Sequence, residues 1–412
     1  MSSTRIAKPG TPFKQWRFAS ANQCGLMGNL VAKRCSQIED ASERAPIWFL
    51  QYLSHQPGGL AAHIAEIFPA EDLKTNPPED LEKELFETCL SSELSPRNDP
   101  EWRLAAAYRE SWIKKHPGAV ETTIGRRVTE AFDFARETRS MVLVDGVARI
   151  GKTFSARAYC ERSGGMARYV QVPFSNDDAT FFRAIARAVG VSSSLQLKTL
   201  HLRARVEEVL QAGDLLIVLD EAAWLWPQTG RNYSLPGRIS WLTTALVNLG
   251  VPVALITTPQ FHTSQRRTEN QTGWASEQFI GRIGHIERLP EVLPIQDLLA
   301  VARSIFPEGD EKTWQALAGY ADLNQQTKLA GIDALAKRAR WLAHQQGRAE
   351  ATPDDLRRAM RESVLPVAFV SEKAVPARRS PARRDARATD TRIADRMNFS
   401  KPVSTVHGLV RR

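Results

Sequence analysis

The stretch Gly146-Val147-Ala148-Arg149-Ile150-Gly151-Lys152-Thr153 decides how the chain reads. It follows Met141-Val142-Leu143-Val144-Asp145, an apolar run of strand type, and precedes Phe154 to Cys160, which has helix character. The spacing is G-x-x-x-x-G-K-[ST] between a strand and a helix, the context in which this motif cradles phosphates. Glycines let the backbone wrap an anion, and a helix N-terminus aims N–H groups and the positive end of its dipole at it. Lys152 would neutralise β- and γ-phosphate charge, and Thr153 would hold Mg²⁺ through its hydroxyl. The candidate nucleotide-binding residues are Gly146, Val147, Ala148, Arg149, Ile150, Gly151, Lys152, Thr153 and Phe154. A chance glycine-rich turn is the plain alternative.

A second element answers the first. Leu215-Leu216-Ile217-Val218-Leu219 is wholly apolar, as a strand buried on both faces must be, and it runs into Asp220-Glu221. Carboxylates at the C-terminal end of such a strand lie where a parallel sheet holds its ligand. Asp220 would bind Mg²⁺, and Glu221 would polarise an attacking water. An acidic pair after a strand also serves as an ordinary helix cap. Here the pair stands about 70 residues after a complete phosphate loop, which favours binding and hydrolysis of ATP or GTP.

Outward from these two runs, strands alternate with helices. Ala167 to Val172, Val251 to Thr257 and Ile286 to Leu289 read as strands. Helices are expected from Thr122 or Thr123, from Asp178 or Thr180, over Leu197–Ala212 and over Arg238–Leu249, with Gly190, Gly213 and Gly250 as stops. This alternation predicts an α/β fold with a five-stranded parallel sheet covered by helices. Thr257 ends one strand; it would orient the attacking water or sense the γ-phosphate if its strand neighbours the Asp220 strand, or else cap the next helix with Thr258.

Four regions follow: an α-helical N-terminal region (1–115), the nucleotide core (116–290), a small α-helical lid (291–368) and a basic tail (369–412) expected to be disordered. The N-terminal helices are expected at Trp48–Leu53, Gly59–Ile67, Pro78–Leu90 and Pro100–Lys115, with Trp16, Trp48, Trp102 and Trp112 as packing residues. Lid helices are expected at Ile295–Ile305, Glu311–Tyr320, Ile332–His344 and Pro353–Val364. In the tail, the run Arg378 to Arg384 is a candidate tether to DNA or an acidic partner, or else a solvated tail, and Phe399–Val406 and Leu409–Arg412 are candidates for a short docking peptide.

Bulk properties exclude several classes. The chain has 412 residues, 42% hydrophobic and 25% charged, with no apolar run near the length of a membrane span and no secretory signal at Met1. Four scattered cysteines lack C-x-x-C spacing, and eight histidines form no metal pair, so a cytoplasmic protein with reduced thiols is expected. The net charge of +9 favours an anionic partner such as nucleic acid.

The order of phosphate loop, Asp-Glu strand end, Thr-ended strand, arginine region and helical lid resembles an AAA+ ATPase over about residues 116–365. Within that class, Asp145–Thr153, the Leu-Ile-Val-Leu-Asp-Glu-Ala run and Ile256-Thr-Thr-Pro-Gln260-Phe261 look most like the transposition-regulator ATPases, the phage Mu B protein and the TniB/TnsC group, related to ExeA and to origin-recognition proteins. The resemblance implies a sheet ordered 5-1-4-3-2, ATP and Mg²⁺ as cofactors, and a ring or filament of identical subunits. In that assembly a neighbour's arginine completes the site. Arg282 stands where the family would place it, with Arg266, Arg267 and Arg288 as competitors. Such lids often carry an arginine in a Gly-Asn-x-Arg turn; here the comparable stretch Gly331-Ile332-Asp333-Ala334 lacks it, and Lys337, Arg338 and Arg340 lie deeper.

The function expected is an ATPase that oligomerises with ATP, binds duplex DNA without sequence preference and recruits or activates a transposase or similar protein partner. Arg183, Arg187, Lys198, Arg231 and Arg238 are the candidate DNA contacts. The competing reading is a regulatory NTPase switch acting on a protein. A helicase lacks its second module, and a membrane role lacks a span.

Overall fold

Side-chain parity along three strands divides the interior in two. In a strand, alternate residues face opposite sides, so a strand buried on both faces feeds two cores. In the computed structural model, Met141 and Leu143 of β1 (Met141–Asp145), Ile217 and Leu219 of β3 (Leu216–Asp220), and Val253 and Leu255 of β4 (Val253–Thr257) enter one core. Val142, Val144, Leu216, Val218, Ala254 and Ile256 enter the other. The structure describes residues 26–90, 99–116, 120–212, 214–227, 235–324 and 327–362, without the side chains of 88 and 89. Trp16, Cys24, Gly213, Arg231 and the tail with its candidate tethers lie outside the described residues.

The sheet is parallel and five-stranded, ordered β2-β3-β4-β1-β5, with β2 at Ala167–Gln171 and β5 at Ile283–Arg288. This is the order 5-1-4-3-2 read from the other edge. Register aligns the C-terminal ends: Asp145 lies opposite Thr257, and Gln171 opposite Asp220. β5 starts three residues before its expected position, because Gly284 and His285 interrupt the apolar run. It is an edge strand with Gly284, His285 and Ile286 exposed, so its pattern carries little burial signal.

The first core is built by the N-terminal helices together with the helices Asp178–Ala188 and Thr199–Ala212. Helix Ala41–Ser54 starts at Asp40, whose side chain accepts from Ser42 N–H, and helix Pro100–Lys115 at Asp99, which accepts from Trp102 N–H. Helix Gly28–Cys35 was not expected from sequence; Gly28 donates to Gly190 O at 2.8 Å, and a Cβ on Gly28 would collide with Val189 O. Polar bridges tie these helices to the sheet module. Arg44 pairs with Asp214 at 2.5 Å, Arg109 donates to Ser163 O and Gly164 O, and Trp112 donates to Glu161 O.

The second core takes helix Thr123–Thr138, capped by Thr122, helix Lys152–Arg162, and the lid helices Ile295–Ile305, Glu311–Leu323, Leu329–Gln345 and Pro353–Arg361. Pro353 at the first turn and the reciprocal Thr352–Asp355 capping box begin the last of these. Gly331 sits inside the first turn of the third lid helix, which starts at Leu329, and not in a turn before it. All described residues belong to one compact unit, Met1–Leu365. Among them no helix is long and apolar enough to cross a membrane.

The helix expected over Arg238–Leu249 changes pitch. It is α at Gly237–Trp241, π at Leu242–Leu246 and 3₁₀ at Val247–Leu249. Thr243 and Thr244 donate their hydroxyls to Ile239 O and Ser240 O, four residues back, and so compete with the backbone ladder where it widens. The helix expected after Thr258 is Gln260–Thr272; its bounds were not legible because its polar composition hides its one buried face of Phe261, Ser264 and Thr268.

Trp48 is fully buried in the first core, among residues of both the N-terminal helices and the sheet. Trp48→Ala is expected to cost about 3–5 kcal/mol and to shift the whole urea transition. A separate early transition, leaving the sheet's own transition in place, would show that the N-terminal helices fold by themselves.

Candidate functional site

Two strand ends, those of β3 and β4, and one loop make a cavity of about 870 Å³ under the lid. Gly146 opens the loop where a Cβ would press on Ile150 and Leu289 at 3.0 Å, and Gly151 takes φ +98°, so both glycines answer to geometry. Arg149 also has a positive φ, +67°. Lys152 begins the helix after the loop and is 7% exposed; its Nζ donates to Gly146 O at 2.7 Å and Val147 O at 2.6 Å. Burial draws its pKa down, and the carboxylates of Asp220, Asp145 and Glu221 oppose that. Thr153 and Phe154 project from the first turn, Phe154 being 63% exposed, and both line the cavity.

Asp220 is held from three sides. Its Oδ1 accepts from Glu221 N–H at 2.8 Å, and its Oδ2 accepts from Thr153 Oγ1 at 2.7 Å and from Tyr169 Oη at 2.8 Å. A hydroxyl and a carboxylate of separate elements thus meet at one point beside Lys152. These are hard oxygen donors, and one carboxylate plus substrate phosphates is the set that Mg²⁺ favours. Glu221 follows in a left-handed conformation, φ +56°, unusual for a non-glycine residue and the kind of strain that gathers at working sites. It caps no helix with its side chain. Burial and the neighbouring Asp220 charge raise its pKa, and Lys152 partly offsets them.

β3 and β4 are neighbours, so the condition on Thr257 holds. Thr257 is 2% exposed at the end of β4, lines the cavity and donates to Thr258 O at 3.2 Å. Neither Thr257 nor Thr258 caps the following helix through its side chain; its N-cap position is Pro259. Arg282 precedes β5, at the opposite end of the parallel sheet from its own loop, and bonds Asn248 Oδ1 and Gln278 O. The structure therefore does not bring Arg282 into its own chain's cavity. Arg288 closes β5 at the loop's end of the sheet; Arg266 is exposed, and Arg267 reaches Pro227 O.

The remaining walls come from the lid and from the segment before the first helix of the module. Val120, Thr122, Val301, Ser304 and Ile305 give a partly apolar wall suited to a base. Leu329 N–H donates to Arg149 O at 3.3 Å, tying the lid to the loop. Lys337, paired with Asp333 at 2.6 Å, lines the cavity and is the lid cation nearest the place of the missing arginine. The sequence placed it deeper in the helix, away from the turn where such an arginine is expected. Tyr169 was missed: its reach to Asp220 depends on strand register, which no local pattern reveals. His262 Nε2 stands 3.1 Å from Asp145 Oδ2, another contact between distant residues.

Strand order, phosphate loop and helical lid together make this an AAA+ P-loop fold. Residues 135–264 match the family model described as AAA domain. Among solved structures the chain is similar to Aeropyrum pernix ORC2 in ADPNP–ADP complexes, at 16% identity over 61% of this chain and 74% of that one, TM-score 0.43. It is likewise similar to the Thermotoga maritima RuvB Holliday junction branch migration motor, at 15% identity over 58% and 68%, TM-score 0.35. No curated protein matches the sequence.

Proposed function

We propose that this chain is an ATPase that binds ATP with Mg²⁺ in the cavity under its lid, assembles with copies of itself, binds duplex DNA without sequence preference and recruits or activates a transposase or similar partner. The observation that carries the nucleotide reading is the meeting of Thr153, Asp220 and Lys152, with Glu221 adjacent, at the end of a phosphate loop. Lys152 would exchange the Gly146 and Val147 carbonyls for phosphate oxygens. Thr153 and Asp220 would hold Mg²⁺, which supplies charge neutralisation on the phosphates. Glu221 would orient and polarise the attacking water, with Thr257 behind it. Arg282, remote from its own cavity, would serve a neighbouring subunit, and supplying that charge in trans would make turnover depend on assembly.

The DNA and transposase reading rests on the resemblance in the loop and strand-end residues and on the positive balance of the chain. Arg187 and Lys198 are exposed and remain candidate contacts, and Arg183 is partly exposed. Arg238 is withdrawn: it is 7% exposed and spends its guanidinium on Asp178, Asp177 O and Trp224 O. A regulatory switch acting on a protein is the second reading, favoured by Leu195 and Leu200, 81% and 73% exposed on either side of Lys198.

Co-sedimentation with duplex DNA at two salt concentrations separates the readings. ATP-dependent binding should weaken by about 10³-fold between 50 and 200 mM salt if about six phosphates are contacted. Binding that ignores ATP, or barely responds to salt, would leave the protein-directed switch.

A further inference from the structure

β2 is an open edge of the sheet, and a second cavity of about 340 Å³ lies along it. Its walls come from helix Ala41–Ser54, helix Lys152–Arg162 and the end of helix Asp178–Ala188. Arg168 leaves β2 into this wall and is 3% exposed. Its Nη2 donates to Trp48 O at 3.1 Å and Gln51 Oε1 at 2.5 Å, and its guanidinium lies 5.1 Å from the Tyr52 ring centre. Its Nε is buried with no hydrogen-bond partner among the described residues, and no described carboxylate pairs with Arg168. A buried cation without a counter-charge is costly to fold.

Two more guanidiniums line the same cavity, Arg157 and Arg187, both exposed, against one carboxylate, Glu161. Burial lowers the pKa of His55, also in the wall, and so keeps it neutral. Three positive groups against one negative leave two charges unbalanced. The backbone adds a donor. Leu216 N–H bonds Met166 O and Val172 N–H bonds Asp220 O, so alternation along β2 turns the Tyr169 N–H toward the open edge.

We propose that this cavity binds a phosphate dianion, either inorganic phosphate or the phosphoryl group of a small phosphate ester. A phosphoryl group carries about −1.5 to −2 at neutral pH and three acceptor oxygens, matching the two unbalanced charges and the donors of Arg168, Arg157, Arg187 and Tyr169. A single carboxylate would leave one charge over. The cavity is distinct from the nucleotide cavity but shares Arg157 with its wall, and Tyr169 links the two: its ring faces Arg157 at 4.8 Å and its hydroxyl bonds Asp220.

The test is thermal melting of the full chain in millimolar sodium phosphate against sodium chloride of equal ionic strength. It is run on the parent, Lys152→Ala, Arg187→Ala and Arg168→Met. Phosphate should raise the Tm by about 2–4 °C in the parent and in Lys152→Ala, and not in Arg187→Ala or Arg168→Met. Without phosphate, Arg168→Met removes an unpaired buried charge but leaves Trp48 O and Gln51 Oε1 without their donor, so each variant is read against its own phosphate-free Tm. Should Arg168→Met fail to fold, the exposed Arg187→Ala decides alone. Glycerol 3-phosphate acting at about one-tenth the concentration of inorganic phosphate would identify an ester as the ligand; equal potency would identify free phosphate. A shift lost in Lys152→Ala but kept in Arg187→Ala would assign the anion to the phosphate loop and overturn the proposal. So would an equal shift in sodium chloride.

Discussion

Lys152→Ala is expected to reduce ATP turnover by about 10²-fold or more and to weaken nucleotide binding, while the protein stays folded. The expectation follows from position. Lys152 is nearly buried at the first turn of the loop's helix, with its ammonium on two loop carbonyls and four charged groups close enough to shift its pKa. Steady-state hydrolysis and binding of a fluorescent ATP analogue measure the two effects. Turnover within threefold of the parent would mean that the loop is not a phosphate cradle at all.

Glu221→Gln should separate binding from chemistry. Glutamine keeps the size and the hydrogen-bonding reach of the side chain but not its charge. Nucleotide binding should persist and single-turnover hydrolysis should fall by about 10²–10⁴-fold, the range for loss of a positioned base. The sign of the pH dependence follows from the raised pKa of Glu221, caused by burial and by Asp220. As pH falls, Glu221 takes up its proton at a higher pH than an ordinary glutamate near 4.3, so hydrolysis should fade earlier than carboxylate chemistry in water would. Glu221→Gln should remove that acid limb from the profile. Unchanged hydrolysis would reduce Glu221 to a residue that serves only the turn after β3.

Residues that announce themselves are those whose chemistry is written in adjacent positions. The loop from Gly146 to Thr153 combines a strand, a glycine pattern and a helix start within a dozen residues, so its place and its local geometry were legible. The apolar runs of β1, β3 and β4 were legible for the same reason, since burial on both faces leaves no polar interruption. Contacts made by register were not legible. Tyr169 finds Asp220 only because β2 pairs with β3 in one alignment, and Arg168 faces the N-terminal helices by the same alignment. Lys337 lines the cavity only because the lid closes over the loop, and Arg238 is no surface cation because helix Asp178–Ala188 presents its start to it. Local pattern carries none of these, because each depends on how distant segments close on one another.

The division of the sheet's two faces has a consequence for synthesis. Trp48, Phe49, Leu50 and Leu53 come early in the chain, yet the core they complete includes Val206, Val209, Leu210 and Leu255. At about 5–20 residues per second, roughly 10–30 seconds of translation separate Leu53 from Leu210. Throughout that interval the face has its N-terminal neighbours, Tyr108 and Trp112 against Phe49 among them, but not the helix that completes the core. Nascent chains of this protein should therefore engage a chaperone before the phosphate loop has emerged, and release it only when the segment after Leu210 closes the core.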